Sequence, residues 1–142
     1  MSHGIRLSSV YDRKAHPTHV VALVLKELEA EGAPAASALR GTGIELESLG
    51  DPLTRVSAKQ TLAVFGNAMR LTKQPTFALR AGAHMHIAAC GLYGYAIHCC
   101  STHREALEFG ARYNDILSPF AKLTVDITED LVTEVVHVDP AI

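Results

Sequence analysis

Potential soft-metal ligands are concentrated in one short stretch of the sequence. Within 20 residues lie seven histidines and cysteines, namely His84, His86, Cys90, His98, Cys99, Cys100 and His103. Zinc and copper favour such nitrogen and sulfur donors, so the residue types permit a metal site. The spacing does not match a zinc module, because the stretch holds no C-x-x-C pair. The alternative is that the cysteines fill small, weakly polar positions in the core, as free cysteines usually do.

The spacing of these residues also limits what a helix could align. Cys99 and His103 would share a face only on a helix that ran through Thr102. Thr102 and Glu105, however, have the spacing of a capping box, which predicts that a helix starts there. A disulfide between the adjacent Cys99 and Cys100 would require strained geometry. We therefore predict no metal and no other cofactor, and keep as weak candidates for metal binding His84, His86, Cys90, His98, Cys99 and His103.

Recognisable catalytic and phosphate-binding motifs are absent from the sequence. It contains no G-x-S-x-G nucleophile elbow, no P-loop and no G-x-G-x-x-G turn. Gly91, Gly94 and Gly110 have a spacing that suits tight turns and close approach of helices instead. We predict that the chain has no catalytic residues and is not an enzyme.

Four aromatic side chains offer a different kind of site. Tyr93, Tyr95, Phe109 and Tyr113 could line an apolar pocket with polar hydroxyl tips, an arrangement that suits a small ligand. The alternative is that these rings belong to the core, which is favoured for Phe109. Buried tyrosine hydroxyls would then need hydrogen-bond partners. We take the four residues as candidates for ligand binding.

Length and composition restrict the class of protein. A chain of 142 residues fits one domain, and 48% hydrophobic with 20% charged residues is usual for a soluble globular protein. A net charge of −2 with scattered Lys and Arg argues against direct nucleic-acid binding. The longest apolar run, Val20 to Leu25, is too short to span a membrane, and the first residues lack the apolar core of a signal peptide. We expect a cytoplasmic protein without disulfides or membrane contact.

Most of the elements that position these residues are predicted to be helices. Apolar periodicity, with helix start and stop signals, predicts helices over residues 17–31, 34–40, 58–72, 75–83, 92–100 and 103–117. The helix over 92–100 is apolar almost all round and is expected to be deeply buried. Residues 83–91 show no clear period and are predicted to form a loop.

The two ends of the chain are expected to differ from this helical middle. Residues 1–15 are polar and aperiodic, which predicts a flexible arm. Near the other end apolar and polar residues alternate, which predicts strands over 121–127 and 131–138 joined by a polar turn. The predicted fold class is α+β, a mostly helical single domain over residues 16–142 with a C-terminal β-hairpin.

The segment 91–113, GLYGYAIHCCSTHREALEFGARY, carries a pattern of known type. G-L-x-G-Y-A followed by T-x-x-E-A-L-x-x-x-x-R-Y resembles the helical N-terminal regulatory domain, of the "arabinose-binding" type, of AraC-family transcriptional regulators. The matching residues are Gly91, Leu92, Gly94, Tyr95, Ala96, Thr102, Glu105, Ala106, Leu107, Arg112 and Tyr113. Upstream, Asp51-Pro52, Arg55-Val56-Ser57 and the segment Ala78 to Gly82 are similar to the same domain, so the resemblance covers about residues 18–139.

The resemblance implies a function in transcription regulation. Domains of this family are expected to sense a small-molecule effector, to dimerise and to control an attached helix-turn-helix region that binds DNA. The family's domain usually continues beyond the hairpin and carries the DNA-binding region after it. We therefore expect this chain to be a truncated version of a larger domain, either an excised fragment or a natural short form.

Two alternatives remain open beside effector sensing. The chain could be a ligand-free helical module for protein–protein contact and dimerisation. It could also be a metal- or redox-responsive sensor, because His98, Cys99, Cys100 and His103 stand where the family tends to have small or apolar residues.

Overall fold

The computed structural model describes residues 9–118 and 120–138. Contacts divide these residues into two compact units, Ser9–His86 and residues 87–138. The predicted fold class, a mostly helical α+β architecture with a C-terminal β-hairpin, is confirmed. None of the helices in the described part of the chain is both long and apolar enough to cross a membrane.

The first unit contains three α-helices and one small antiparallel sheet. Its elements are a 3-10 turn Ser9–Asp12, strand β1 (Lys14–Pro17), helix α1 (His19–Ala30), 3-10 turns Ala35–Leu39 and Leu46–Gly50, strand β2 (Arg55–Ser57), helix α2 (Ala58–Leu71) and helix α3 (Phe77–Ala83). Strand β1 pairs with β2, with His16 opposite Val56. The core lies where α1 packs against α2 and α3. It consists of Val21, Val24, Leu25, Leu28, Ala35, Ala38, Leu39, Ile44, Val56, Val64, Ala68 and Phe77.

The predicted capping box at the start of α2 is confirmed. The backbone N–H of Gln60 donates to Ser57 Oγ at 3.1 Å, and the N–H of Ser57 donates to Gln60 Oε1 at 2.9 Å. These two bonds satisfy N–H groups that the first helical turn leaves without a backbone partner. The start of α2 is therefore determined by residues only three positions apart.

The second unit contains three further helices and the hairpin. Its elements are a 3-10 turn Ile87–Cys90, helices α4 (Gly91–His98), α5 (His103–Arg112) and α6 (Asn114–Leu117), and strands β3 (Ala121–Ile127) and β4 (Val132–Val138). The two strands pair antiparallel from Ala121 opposite Val138 to Ile127 opposite Val132. Helix α5 packs against β3. The N–H of Glu105 donates to Thr102 Oγ1 at 3.1 Å, while the Glu105 carboxylate accepts from the N–H of Ser101, so α5 starts where the sequence predicts.

Several predicted elements differ from the structure. The helix expected over 34–40 is a 3-10 turn, the loop expected over 83–91 contains another, and the helix expected over 103–117 is divided at Tyr113. Helix α4 was expected to be deeply buried, which is wrong, because the side chains of Leu92 and Tyr95 are 88% and 69% exposed. An apolar composition predicts burial only where another element covers each side of the helix.

The flexible arm expected over residues 1–15 is wrong for its second half. Residues 1–8 lie outside the described residues. Residues 9–15 contain a 3-10 turn and most of β1. This strand forms because its backbone pairs with β2, about 40 residues away, and polar composition does not reveal such a partner.

Candidate functional site

Three of the four aromatic residues predicted to bind a ligand lie together in the second unit. The ring centroids of Tyr93 and Phe109 are 5.9 Å apart, and those of Phe109 and Tyr113 are 4.6 Å apart. The buried Tyr93 hydroxyl donates to the backbone oxygen of Gly110 at 3.2 Å. Burial raises the pKa of that hydroxyl, and the nearby Cys90 adds to the effect. These contacts join α4 to α5.

The fourth aromatic residue, Tyr95, is 69% exposed on α4, and Tyr113 is 41% exposed at the end of α5. The Tyr93 hydroxyl donates its hydrogen bond to the backbone of α5 and so contributes to the packing of α4 against α5. Ligand binding by Tyr93, Tyr95, Phe109 and Tyr113 therefore stays a prediction.

Two glycines of the second unit act as the sequence predicts. Gly91 has φ +60°, in the left-handed region, where α4 follows the 3-10 turn. A Cβ on Gly94 would overlap the carbonyl oxygen of Ile87 and would lie only 2.7 Å from its carbonyl carbon. Helix α4 can pack this closely on the preceding turn only because position 94 has no side chain.

The weak metal candidates do not form a cluster that could bind an ion. In residues 9–118 and 120–138, no group of three or more His, Cys, Asp or Glu residues is arranged to hold a metal. Cys90 is buried, and burial raises the pKa of its thiol. Cys99 is exposed, and the Cys100 thiol donates to the backbone oxygen of Ala96 at 3.4 Å. None of the three cysteines forms a disulfide.

The first unit contains an apolar pocket of about 310 Å³ between α1, α2 and α3. It is lined by Val20, Leu23, Val24, Phe65, Met69, Phe77, Ala78, Ala81, Gly82 and Met85. Most lining positions on α1 and α3 recur at helical spacing, and such spacing in a sequence predicts only that this face of the helix is buried. The sequence therefore does not reveal this pocket, since helical periodicity is the same for a filled core and for a core with space left in it. The available signal was the run of small residues on α3, which leaves room beside α1.

An ion pair between a buried carboxylate and a half-exposed arginine connects two of the helices that form this pocket. The carboxylate of Glu27 on α1 is only 3% exposed, and its Oε1 lies 2.6 Å from Arg80 Nε on α3. Nε2 of His84, at the end of α3, lies 3.9 Å from the other oxygen. A carboxylate at this depth is stable only with such partners. The pair therefore links α3 to α1 beside the pocket.

The chain is similar to known transcription regulators over most of its length. The family model described as the arabinose-binding domain of AraC transcription regulators, N-terminal, matches residues 32–141. HTH-type transcriptional regulators of Mycobacterium bovis and Mycobacterium tuberculosis are each 28% identical to the chain over 116 residues, which is 81% of this chain. The matched part is 34% of each regulator, so the chain spans about a third of the length of these relatives. No solved structure matches the chain.

Proposed function

The chain belongs to the family of N-terminal arabinose-binding domains of AraC transcription regulators, and on that premise we propose that it binds a small-molecule effector in the pocket between α1, α2 and α3. The family supports an effector-binding regulatory domain. The pocket is the observation that supports this position for the effector.

The size and position of the pocket support this proposal. Its volume of about 310 Å³ lies at the lower end of the range of small-ligand sites, roughly 300–1,000 Å³. Side chains from three helices line it, so a ligand would contact all three at once. Binding would stabilise one packing of these helices over others, and this population shift is the proposed signal.

The output of the signal is proposed to be a change in DNA binding by the whole regulator. The matched relatives are HTH-type transcriptional regulators, and the chain spans about a third of them. We propose that DNA is bound through a C-terminal helix-turn-helix region and not by this chain, whose net charge is −2. The proposed compartment is the cytoplasm.

Methionine methyl groups provide a direct test of the effector site. The chain has three methionines, and Met69 and Met85 both line the pocket. A small-molecule library is screened by thermal shift, and each stabilising compound is titrated into protein with methyl-labelled methionine. An effector in the pocket shifts the NMR signals of Met69 and Met85. A stabilising compound that leaves both signals unchanged while altering the tyrosine spectrum would place the site at Tyr93, Tyr95, Phe109 and Tyr113 instead.

Dimerisation is proposed as a second function, because β4 presents an apolar edge. Val132, Val136 and Val138 are 43%, 60% and 62% exposed, and in the described part of the chain β4 pairs only with β3. A long, apolar edge strand is a template for pairing with another strand. Antiparallel pairing of β4 with β4 of a second copy would cover this edge and give a two-fold dimer.

Light scattering after gel filtration tests the dimer. We expect twice the monomer mass for the natural chain and the monomer mass for Val136→Lys, because a lysine there carries a charge into the paired edge. Thr124→Lys, at an exposed position of β3, is the control and should remain dimeric. A natural chain that stays monomeric at high concentration, with and without effector, contradicts this part of the proposal.

A further inference from the structure

We propose that the pocket between α1, α2 and α3 binds the hydrocarbon body of an apolar small molecule, such as an alkyl chain or an aromatic ring system, and that it does not bind a sugar. The inference rests on the proposed function, because it takes this pocket as the effector site. It adds the chemical class of the effector. That class differs from arabinose, the sugar named in the family's description.

The side chains of the lining offer no partner of the kind that a sugar requires. Each of the ten lining residues carries an aliphatic, aromatic or thioether side chain or none, so the strongest acceptors on these side chains are the weak methionine sulfurs. Backbone groups at the end of α3 are already paired. The carbonyls of Ala81 and Gly82 accept from the N–H groups of His84 and Met85, at 3.3 and 2.9 Å. A buried hydroxyl without a partner would weaken binding by about tenfold or more, and a pentose carries several.

The charged groups at neighbouring positions of α1 and α3 already face one another. Glu27 follows Val24 on α1 by one helical turn, but its carboxylate contacts Arg80 at 2.6 Å and faces His84 at 3.9 Å. None of these three residues lines the pocket. A ligand that recruited Arg80 would leave a carboxylate with 3% exposure without its closest partner, which is costly.

The volume defines the size of the apolar body. An apolar cavity of about 150 Å³ holds one benzene molecule, so about 310 Å³ accommodates roughly ten to twelve carbon atoms. Met69 and Met85 are 53% and 38% exposed and therefore lie towards the mouth of the pocket. Unbranched methionine side chains adapt to ligands of different shape. A polar head group can remain in water beside them while the hydrocarbon occupies the interior.

A series of linear alcohols from butanol to octanol provides the test, with indole as an aromatic probe and L-arabinose as the sugar. Each is titrated into the whole chain, and the methyl signals of Met69 and Met85 are followed by NMR. We expect affinity to rise about fourfold for each added methylene, because each one is transferred from water to the apolar interior. Indole should shift the same signals, and L-arabinose at millimolar concentration should shift neither.

Two alanines of α3 supply a matched pair of variants. Ala78 is exposed and lines the pocket, whereas Ala83 is exposed on the same helix and does not. Ala78→Phe should occupy part of the cavity and weaken octanol binding by about tenfold or more. Ala83→Phe adds the same ring outside the pocket and should leave octanol binding unchanged.

The outcomes separate this inference from the proposed function. L-arabinose binding that shifts the Met69 and Met85 signals would overturn the apolar class while supporting the pocket as the effector site. An alcohol series with no dependence on chain length, or one equally weakened by Ala83→Phe, would overturn the inference. A natural effector that binds without moving either methyl signal would overturn the assignment of the pocket itself.

Discussion

Replacing Gly94 by alanine is expected to destabilise the second unit, although alanine is the better helix former. A Cβ at position 94 would overlap the carbonyl oxygen of Ile87 and lie 2.7 Å from its carbonyl carbon. The obstacle is backbone, so no side-chain rotation can relieve it. To relieve the overlap with the oxygen, which is the closer of the two atoms, the turn Ile87–Cys90 must move by more than about 1 Å relative to α4.

The magnitude follows from two opposing effects. Overpacking of a close contact costs about 1–3 kcal/mol, and the upper end applies here because a rigid backbone must move. Alanine offsets up to about 1 kcal/mol of this through its higher helix propensity. We therefore expect Gly94→Ala to lower the free energy of unfolding by about 2 kcal/mol, which corresponds to a melting temperature lower by about 6 °C.

Two other glycines provide the controls for this measurement. A Cβ on Gly82, in α3, meets nothing within 4 Å, so Gly82→Ala should raise stability by about 0.4–1 kcal/mol. A Cβ on Gly110, in α5, would lie 3.4 Å from the Tyr93 hydroxyl oxygen, an ordinary contact, so Gly110→Ala should be nearly neutral.

Urea unfolding followed by circular dichroism and by tyrosine fluorescence measures all three variants. The comparison requires that the midpoint changes while the slope stays constant. If Gly94→Ala proved as stable as the natural chain, or as stable as Gly82→Ala, the argument from close backbone approach would be refuted.

Three further predictions concern charge, pH and thiol reactivity. Arg80→Met removes the closest partner of the buried Glu27 carboxylate and should lower the free energy of unfolding in urea by about 1–3 kcal/mol. This loss is smaller than for a fully buried pair, because Arg80 is 49% exposed. Unchanged stability would contradict the role of the ion pair. Burial lowers the pKa of His16 below 6.5, so the folded state binds fewer protons than the unfolded state. The free energy of unfolding should therefore be highest above pH 6.5 and should fall as the pH is lowered. The variant His16→Phe should show a weaker dependence of this free energy on pH, and an equally steep dependence would refute the argument. Burial also raises the pKa of the Cys90 thiol, so iodoacetamide should alkylate the exposed Cys99 well before Cys90. Mass spectrometry of samples taken over time measures both reactions, and equal rates of alkylation would contradict the burial of Cys90.

Features that depend on neighbours in sequence were predictable. The capping box of Ser57 and Gln60 and the helix start at Thr102 both involve residues three positions apart, and the structure contains both. The hairpin was predicted with nearly its observed strands, since its register follows from alternation across a short turn. The aromatic residues of α4 and α5 were predicted as a group, and three of the four lie together.

Features that depend on distant contacts were missed. Strand β1 exists because it pairs with β2, and polar residues near the N-terminus gave no sign of that partner. The end of the long helix expected over 103–117 was also misjudged, because helical spacing continues through Tyr113 while the backbone does not. Burial of α4 was overestimated for a related reason, since composition does not say which side another element covers.

The sequence by itself determined the helical α+β class and the resemblance to AraC regulatory domains, because caps, periodicity and spaced glycines are local properties that can be read in order along the chain. Only the tertiary structure decided where a ligand has room. The pocket is the space that remains among side chains of α1, α2 and α3, and it depends on how closely those helices pack. The ion pair of Glu27 and Arg80 links two of those helices between residues 53 positions apart in the sequence. Packing between distant residues has no signature in a single sequence, whereas capping and alternation do.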